Sequence, residues 1–202
     1  MLFFTAPYED RDKILNLGAE WDFSRWAWKV ENPRDYEKFS KWVKGTTIAR
    51  ELYILETDIN CCKCGKKTRI VALGVGEYTE NFSLERKGAD CINLLYGFEN
   101  VDGKLCEYLM EKYKLKKRYL PAVGYKFRVN GCTHCDAIIP DEFLFVETDS
   151  PFYIDSRERA DKLKVSRFSS DSDFSIDEVV TCSADKSLFT KDFKEINDLQ
   201  LL

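Results

Sequence analysis

Two Cys-x-x-Cys pairs, far apart in the chain, constrain its fold more than any other feature of the sequence. The first pair is Cys61 and Cys64, the second is Cys132 and Cys135, and residues 65–131 lie between them. Each pair bends the backbone into a tight knuckle, and two facing knuckles make a tetrahedral four-thiolate site. The sequence therefore predicts one structural zinc ion that joins two distant segments of the chain.

Other interpretations of the cysteines remain open. Either pair alone fits a redox-active Cys-x-x-Cys motif, although no thioredoxin-like context surrounds it. Cys62 could replace Cys61 as a ligand, but only Cys61 has the two-residue spacing to Cys64. His134 is the single histidine and lies inside the second pair, where we expect it to point away from the metal.

Composition places the chain among globular proteins. It has 202 residues, 44% of them hydrophobic and 33% charged, and no apolar window long enough to cross a bilayer. The start of the chain has no signal-peptide pattern, so we expect a cytoplasmic protein without a membrane partner. The net charge of -4 argues against nonspecific coating of duplex nucleic acid. Residues 131–202 carry eight bases against sixteen acids, so the acidity lies toward the C-terminus.

Periodicity and turn residues predict an α+β protein. We expect a helix over residues 8–17, a hairpin over 19–30 and a second helix over 34–43. Strands are predicted over 53–59, 69–75, 124–129 and 143–146, and a helix over 104–119. The expected organisation is a small N-terminal αβ module (1–45), a larger domain centred on a discontinuous Cys₄ zinc ribbon (46–154), and an acidic C-terminal region (155–202).

The N-terminal residues carry a family resemblance. The motifs are Phe3-Phe4, Pro7-Tyr8, Arg11-Asp12, Leu17-Gly18-Ala19, Trp21-Asp22 and Trp26-x-Trp28. Together they resemble the domain of unknown function DUF5710 over about residues 1–44. That module recurs in bacterial and phage proteins, sometimes attached to plasmid primases and other DNA-processing enzymes. The resemblance implies a fold unit and a DNA-processing neighbourhood.

A second resemblance begins at the first cysteine pair and extends through Pro151-Phe152. Its motifs are Cys-x-x-Cys-Gly-Lys-x-Thr, a following Val-Ala-Leu, Asn-x-Cys-x-His-Cys, Phe-Leu-Phe and Ser-Pro-Phe. They are similar to the zinc-ribbon part found beside DUF5710 in small bacterial proteins. The chain departs from that pattern over residues 136–140, where related chains carry Gly and an aromatic-rich continuation.

The sequence favours a binding protein over an enzyme. A centre of four cysteines leaves no open metal position, and neither a phosphate-binding loop nor a nucleophile elbow is present, so no catalytic residue is predicted. One hypothesis is binding of nucleic acid, preferably single-stranded, because aromatic rings and bases occur together. Its candidate residues are Trp26, Trp28, Lys29, Lys63, Lys66, Lys67 and Arg69.

Two alternatives accompany that hypothesis. The tryptophans Trp21, Trp26 and Trp28 are also expected as core residues of a small domain, which would remove them from any binding surface. The chain could instead be an adaptor with a purely structural zinc, whose acidic C-terminal region meets a basic protein partner. Nucleic-acid binding would weaken steeply with salt, whereas the adaptor would be insensitive to the lysines near the first cysteine pair.

Overall fold

The computed structural model describes residues 1–99, 101, 103–121, 124–177 and 182–196. The protein has a mixed α/β structure that is mostly sheet with few helices. The strands are β1 (Leu2–Phe4), β2 (Glu20–Asp22), β3 (Ala27–Val30), β4 (Thr47–Asn60), β5 (Lys67–Val75), β6 (Tyr78–Thr79), β7 (Cys91–Leu95), β8 (Lys116–Leu120), β9 (Tyr125–Gly131), β10 (Ile138–Ile139), β11 (Lys164–Ile176), β12 (Cys182–Asp185) and β13 (Lys194–Ile196). The α-helices are α1 (Arg11–Asn16), α2 (Gly103–Tyr113) and α3 (Arg157–Ala160).

A ten-stranded sheet forms the body of the protein. Its main path runs β12-β7-β5-β4-β11-β1-β3-β2, with β13 beside β11 and β6 beside β4. Both faces of β4 are buried because Leu52 and Ile54 face one apolar cluster while Tyr53 and Leu55 face another. Helix α2 covers the first face, and residues 142–163 cover the second. A second, three-stranded sheet has the order β10-β9-β8.

The N-terminal elements form a small cluster of their own at one end of the sheet. The helix expected over 8–17 is a 3₁₀ turn, Tyr8–Asp10, followed by α1, and the predicted hairpin is β2 and β3. The second expected helix is a 3₁₀ helix, Pro33–Phe39, rather than an α-helix. Strand β1 joins this cluster to the main sheet by pairing with β3 and, in parallel, with β11.

Two predictions of secondary structure are wrong. The helix expected over 104–119 ends at Tyr113, because Lys114 takes a left-handed conformation (φ 56°) and residues 116–120 instead pair with β9. The strand expected over 143–146 is a π-helix, Glu142–Val146. Its amides at Leu144 and Phe145 both donate to the carbonyl of Asp141, at 2.9 and 3.0 Å, which closes a helical turn.

The region expected to be acidic and C-terminal contributes a central strand. Residues 164–176 form β11, which pairs antiparallel with β4 and parallel with β1. A register shift between Ser169 and Phe174 separates its two halves. Residues 171–176 of this acidic region lie within β11, while residue 178 is outside the described residues. Among the helices described, none is long and apolar enough to cross a membrane.

Candidate metal centre and nucleic-acid interface

The two cysteine pairs lie at the tips of two hairpins. Residues 61–66, the first knuckle, connect β4 to β5. The two residues that flank the knuckle, Asn60 and Lys67, pair with each other. Residues 132–137, the second knuckle, connect β9 to β10, where Gly131 pairs with Ile138. The long β-branched and apolar run of β4 and β5 therefore holds the first knuckle, whereas a short hairpin of the smaller sheet holds the second.

All four predicted sulfur atoms come together and could hold a metal ion. They lie within 4.8 Å of one another, and the Sγ atoms are 3.7 Å apart between Cys61 and Cys135 and 3.8 Å apart between Cys64 and Cys132. A tetrahedral ion with bonds of about 2.3 Å to sulfur, the length typical of zinc, requires sulfur separations of about 3.8 Å. The donor set therefore fits such an ion. Cys62 is exposed and outside the set.

Backbone hydrogen bonds shape the first knuckle. The amide of Cys61 donates to the carbonyl of Lys66 at 2.9 Å, and the amide of Gly65 donates to the carbonyl of Cys61 at 2.9 Å. Gly65 has φ +69°, a left-handed conformation that glycine adopts without strain. This residue type is therefore suited to the turn that follows the second cysteine.

The second knuckle repeats this pattern with a different residue at the left-handed position. Cys132 donates to the carbonyl of Ala137 at 2.8 Å, and Asp136 donates to the carbonyl of Cys132 at 3.1 Å. Asp136 has φ 62°, where a side chain costs free energy that glycine would not. The side chain of Asp136 is exposed and forms an ion pair with Lys116 of β8.

Amides within the knuckles act on the thiols. The amide of Cys135 donates to the sulfur of Cys132 and lowers the pKa of that thiol to about 6, while the amide of Cys64 lowers the pKa of Cys61. The amide of Ala137 lowers the pKa of Cys135, but burial and the neighbouring thiols outweigh it and raise that pKa to about 12. One sulfur of each knuckle is thus favoured as a thiolate, which is the form that binds a metal.

Side chains fasten the second knuckle to the edge of β5. The amide group of Asn130 accepts from the backbone N–H of Val71 at 2.8 Å and donates to its carbonyl at 2.9 Å, so it replaces a paired strand. The backbone N–H of Thr133 donates to the hydroxyl of Thr68 at 3.0 Å. Asn130 and Thr133 were not predicted as positioning residues, since nothing in their local sequence indicates a bond to residues about sixty positions away.

His134 contributes to the same junction and not to the sulfur cluster. Its Nε2 lies 2.9 Å from the carbonyl oxygen of Lys67, the first residue of β5. Its backbone N–H points to Cys132 Sγ at 3.4 Å. The expectation that this histidine points away from the metal position agrees with its contacts.

The predicted basic residues at the first knuckle differ in their partners. Lys63 and Lys66 lie on the knuckle itself and are exposed. Lys67 and Arg69 lie on β5, and both contact the carboxylate of Asp58, at 3.5 and 3.2 Å. Part of the charge on β5 is therefore neutralised, while the knuckle lysines face solvent.

The predicted residues of the N-terminal segment also separate into different environments. Trp28 is 4% exposed and packs in the N-terminal cluster, as the core-packing alternative expects. Trp26 is 73% exposed and is therefore not a core residue. Lys29 forms ion pairs with Glu20 at 3.1 Å and Glu31 at 2.8 Å. Of these three candidates, Trp26 alone offers a solvent-facing ring.

The turn between β2 and β3, residues 22–26, presents two aromatic rings and is defined here as the aromatic turn. Phe23 is 77% exposed beside Trp26, which has φ 50°. A single oxygen of Asp22 accepts from the Ser24 amide at 2.9 Å, the Ser24 hydroxyl at 2.6 Å and the Arg25 amide at 3.0 Å. These donors lower the pKa of Asp22 and fix the turn. Phe23 was not predicted as a binding residue, although its position in the turn of a predicted hairpin indicates exposure to solvent.

Comparisons with known proteins match short stretches of the chain. A 47-residue stretch, 23% of this chain, is 34% identical to DNA primase TraC of Escherichia coli and covers 3% of that protein. No solved structure matches the chain. The family described as "Domain of unknown function (DUF5710)" matches residues 1–44, which confirms the resemblance expected there. The first 44 residues of the chain are thus similar to the DUF5710 domain.

Proposed function

We propose that this protein binds nucleic acid, with a preference for single strands, and that one zinc ion stabilises the part that carries its two knuckles. The observation that carries the proposal is the aromatic turn, where the rings of Phe23 and Trp26 are 77% and 73% exposed on a fixed backbone. Large exposed rings of this kind stack on unpaired bases, and a duplex does not offer those faces.

The rigidity of the aromatic turn supports stacking. Its backbone is held by the three hydrogen bonds to Asp22, so little conformational freedom is lost when bases bind. Each stacked base contributes roughly 1–3 kcal/mol in proteins that bind single strands. Loss of either ring should therefore lower the affinity by a measurable amount.

Charge and similarity point the same way. Lys63 and Lys66 offer exposed cations to phosphates, while the net charge of -4 disfavours nonspecific duplex binding. The family match over residues 1–44 contains the aromatic turn, and the 47-residue similarity is to a protein named a DNA primase. These findings support a role beside DNA.

Zinc is the metal we propose for the four sulfurs. Four thiolates at tetrahedral spacing form the donor set of closed structural zinc sites. Because all four positions would be filled by protein, the ion would stabilise the fold and take no part in a reaction. Its role would be to join residues 61–64 to residues 132–135, which closes a long loop.

The test is binding of a fluorescein-labelled oligothymidylate, measured by anisotropy and compared with a duplex of equal length. Trp26→Ala and Phe23→Ala should each weaken single-strand binding by about tenfold, equivalent to roughly 1.4 kcal/mol. Tyr8→Ala is the matched control, since Tyr8 is 82% exposed but lies outside the aromatic turn. Equal affinities for all three variants and the unchanged protein would contradict the proposal.

A further inference from the structure

A buried carboxylate gathers three cations on the face of the main sheet. Glu56 of β4 is 3% exposed. Its oxygens lie 3.4 Å from Lys112 of α2, 3.6 Å from Lys164 of β11 and 3.9 Å from Arg69 of β5. The hydroxyl of Tyr113 donates to the same carboxylate. Three separate elements, α2, β5 and β11, thus converge on one acidic group of β4, and we call Arg69, Lys112 and Lys164 the cation triad.

Charge is left over in this arrangement. Glu56 neutralises one of the three cations, so two positive charges remain. Arg69 also pairs with Asp58, but Lys67 pairs with Asp58 as well and offsets that negative charge. The side chains of Lys112, Arg69 and Lys164 remain 38%, 54% and 60% exposed. A lysine ammonium has three N–H donors and an arginine guanidinium has five. Glu56 cannot accept from all of them, so some donors of the triad remain free to face solvent.

The geometry of the triad is fixed in advance. The Nζ of Lys112 donates to the hydroxyl of Tyr108 at 2.6 Å and lies 4.9 Å from the ring centres of both Tyr108 and Tyr113. Strand pairing places Lys164 directly opposite Glu56 and Arg69 directly opposite Asp58. The backbones of the triad are therefore fixed and Lys112 is held by its ring contacts, so less conformational freedom is lost when an anion binds.

The state of Glu56 supports a positioning role. Burial raises the pKa of its carboxyl, but the hydrogen bond from Tyr113 and the charges of Lys112 and Lys164 outweigh burial, so the pKa is lowered. Among the described residues its Oε2 has no hydrogen-bond partner, although Arg69 and Lys164 are within ion-pair distance. A buried oxygen of this kind is held in place by the cations around it.

We propose that the cation triad binds a phosphate oxyanion and that Glu56 positions the triad for it. The two remaining positive charges match a phosphate dianion, and fixed N–H donors suit its tetrahedral oxygens. The ligand could be free phosphate or a nucleic-acid backbone phosphate, which carries one charge and presents two non-bridging oxygens as acceptors. Assigning it to a backbone rests on the function proposed above, whereas the oxyanion site itself does not.

The test combines two titrations of the full chain. Inorganic phosphate is titrated while the ¹H–¹⁵N spectrum is recorded, including the Arg69 side chain, and oligothymidylate binding is measured over a range of salt concentrations. The variant is Lys112→Gln with Lys164→Gln, which keeps most of each aliphatic stem. Lys162→Gln is the matched control, because Lys162 is 66% exposed near Lys164 and pairs with Glu158 instead. A melting curve for each variant verifies folding, and Lys164→Gln alone serves if the double variant is unstable.

We expect saturable phosphate shifts at Arg69 in the unchanged protein and in Lys162→Gln, and their loss in the double variant. For a backbone phosphate, the salt dependence of oligonucleotide binding should also fall by about 1.4 in the slope of log K against log salt. Loss of the phosphate shifts with an unchanged slope overturns the backbone assignment and identifies free phosphate as the ligand. Oligonucleotide binding without phosphate shifts and without a change in slope overturns the site but not the proposed function. Phosphate binding without oligonucleotide binding overturns the proposed function but not the oxyanion site.

Discussion

The first and second knuckles share their hydrogen-bond pattern but differ in what holds them in place. The first closes a hairpin whose strands pair from Leu52 and Val75 to Asn60 and Lys67 in the middle of the main sheet. The second is followed by β10, whose two residues pair with β9 in the smaller sheet. It is linked to the main sheet by side-chain bonds, by the sulfur cluster and by Ile139 of β10, which is buried among residues of β4 and β5.

This difference indicates how a metal would contribute to the fold. A long hairpin buried on both faces is stabilised by apolar area and backbone pairing, so the first knuckle needs little further support. The second knuckle has less of that support, since β10 has two paired residues and one of them, Ile139, is buried against the main sheet, and a bound ion would connect it to the first knuckle across residues 65–131. The stabilising effect of zinc should therefore be concentrated at the second knuckle.

Removal of the metal should destabilise the second knuckle more than the first. After treatment with a chelator, we expect amide hydrogen exchange over residues 131–139 to accelerate at least tenfold more than exchange over residues 67–75. A tenfold difference corresponds to about 1.4 kcal/mol of local opening free energy. The measurement is hydrogen–deuterium exchange by mass spectrometry, with zinc added back as the control. Equal acceleration at both knuckles would show that the metal stabilises them alike.

Loss of the Asn130 side chain should weaken the second knuckle next. Asn130→Ala leaves the buried N–H and C=O of Val71 without partners, and we expect a loss of about 3 kcal/mol in the free energy of unfolding, since each unsatisfied group costs about 1–3 kcal/mol. Asn60→Ala is the control, because Asn60 enters the first knuckle and is exposed. Denaturant unfolding gives both values, and equal stabilities of the two variants would rule out this role for Asn130.

Exchanging the residues at the two left-handed positions, Gly65 and Asp136, should have the smallest effect on stability, with opposite signs at the two knuckles. Asp136→Gly should stabilise the protein by about 0.5–1 kcal/mol, because glycine relieves the left-handed backbone and the exposed ion pair with Lys116 is worth little. Gly65→Asp should destabilise by about 1 kcal/mol from conformation alone, since a Cβ there would meet no atom within 4 Å. Thermal unfolding of both variants measures the two changes in stability. The same sign at both positions would contradict the equivalence of the knuckles.

Local spacing was sufficient for several features of the chain. The two-residue spacing within each cysteine pair identified the four sulfurs that come together, and the motifs of residues 1–44 identified a module that the family comparison also finds. A continuous, β-branched apolar run likewise indicated β5. Each of these signals lies within a few residues of sequence.

Features that depend on distant residues were not predictable in this way. Asn130 bonds to Val71, and Glu56 gathers cations from α2, β5 and β11, which no local pattern reports. The strand expected over 143–146 failed for a related reason, because a continuous apolar run fits a buried strand, whereas in the fold Leu144 and Phe145 are buried on a helical turn and Phe143 and Val146 are exposed. Tertiary packing decided these cases.

The most direct test of the metal centre is elemental analysis of purified protein, with Cys132→Ser and Cys62→Ser measured in parallel. We predict one zinc ion per chain in the unchanged protein and in Cys62→Ser, since Cys62 lies outside the sulfur cluster. Cys132→Ser should lose the metal and at least about 3 kcal/mol of stability, seen as a fall in Tm of about 6–12 °C. A metal-free protein with four titratable thiols at these positions, and a Cys132→Ser variant of unchanged Tm, would contradict a structural zinc at the two knuckles.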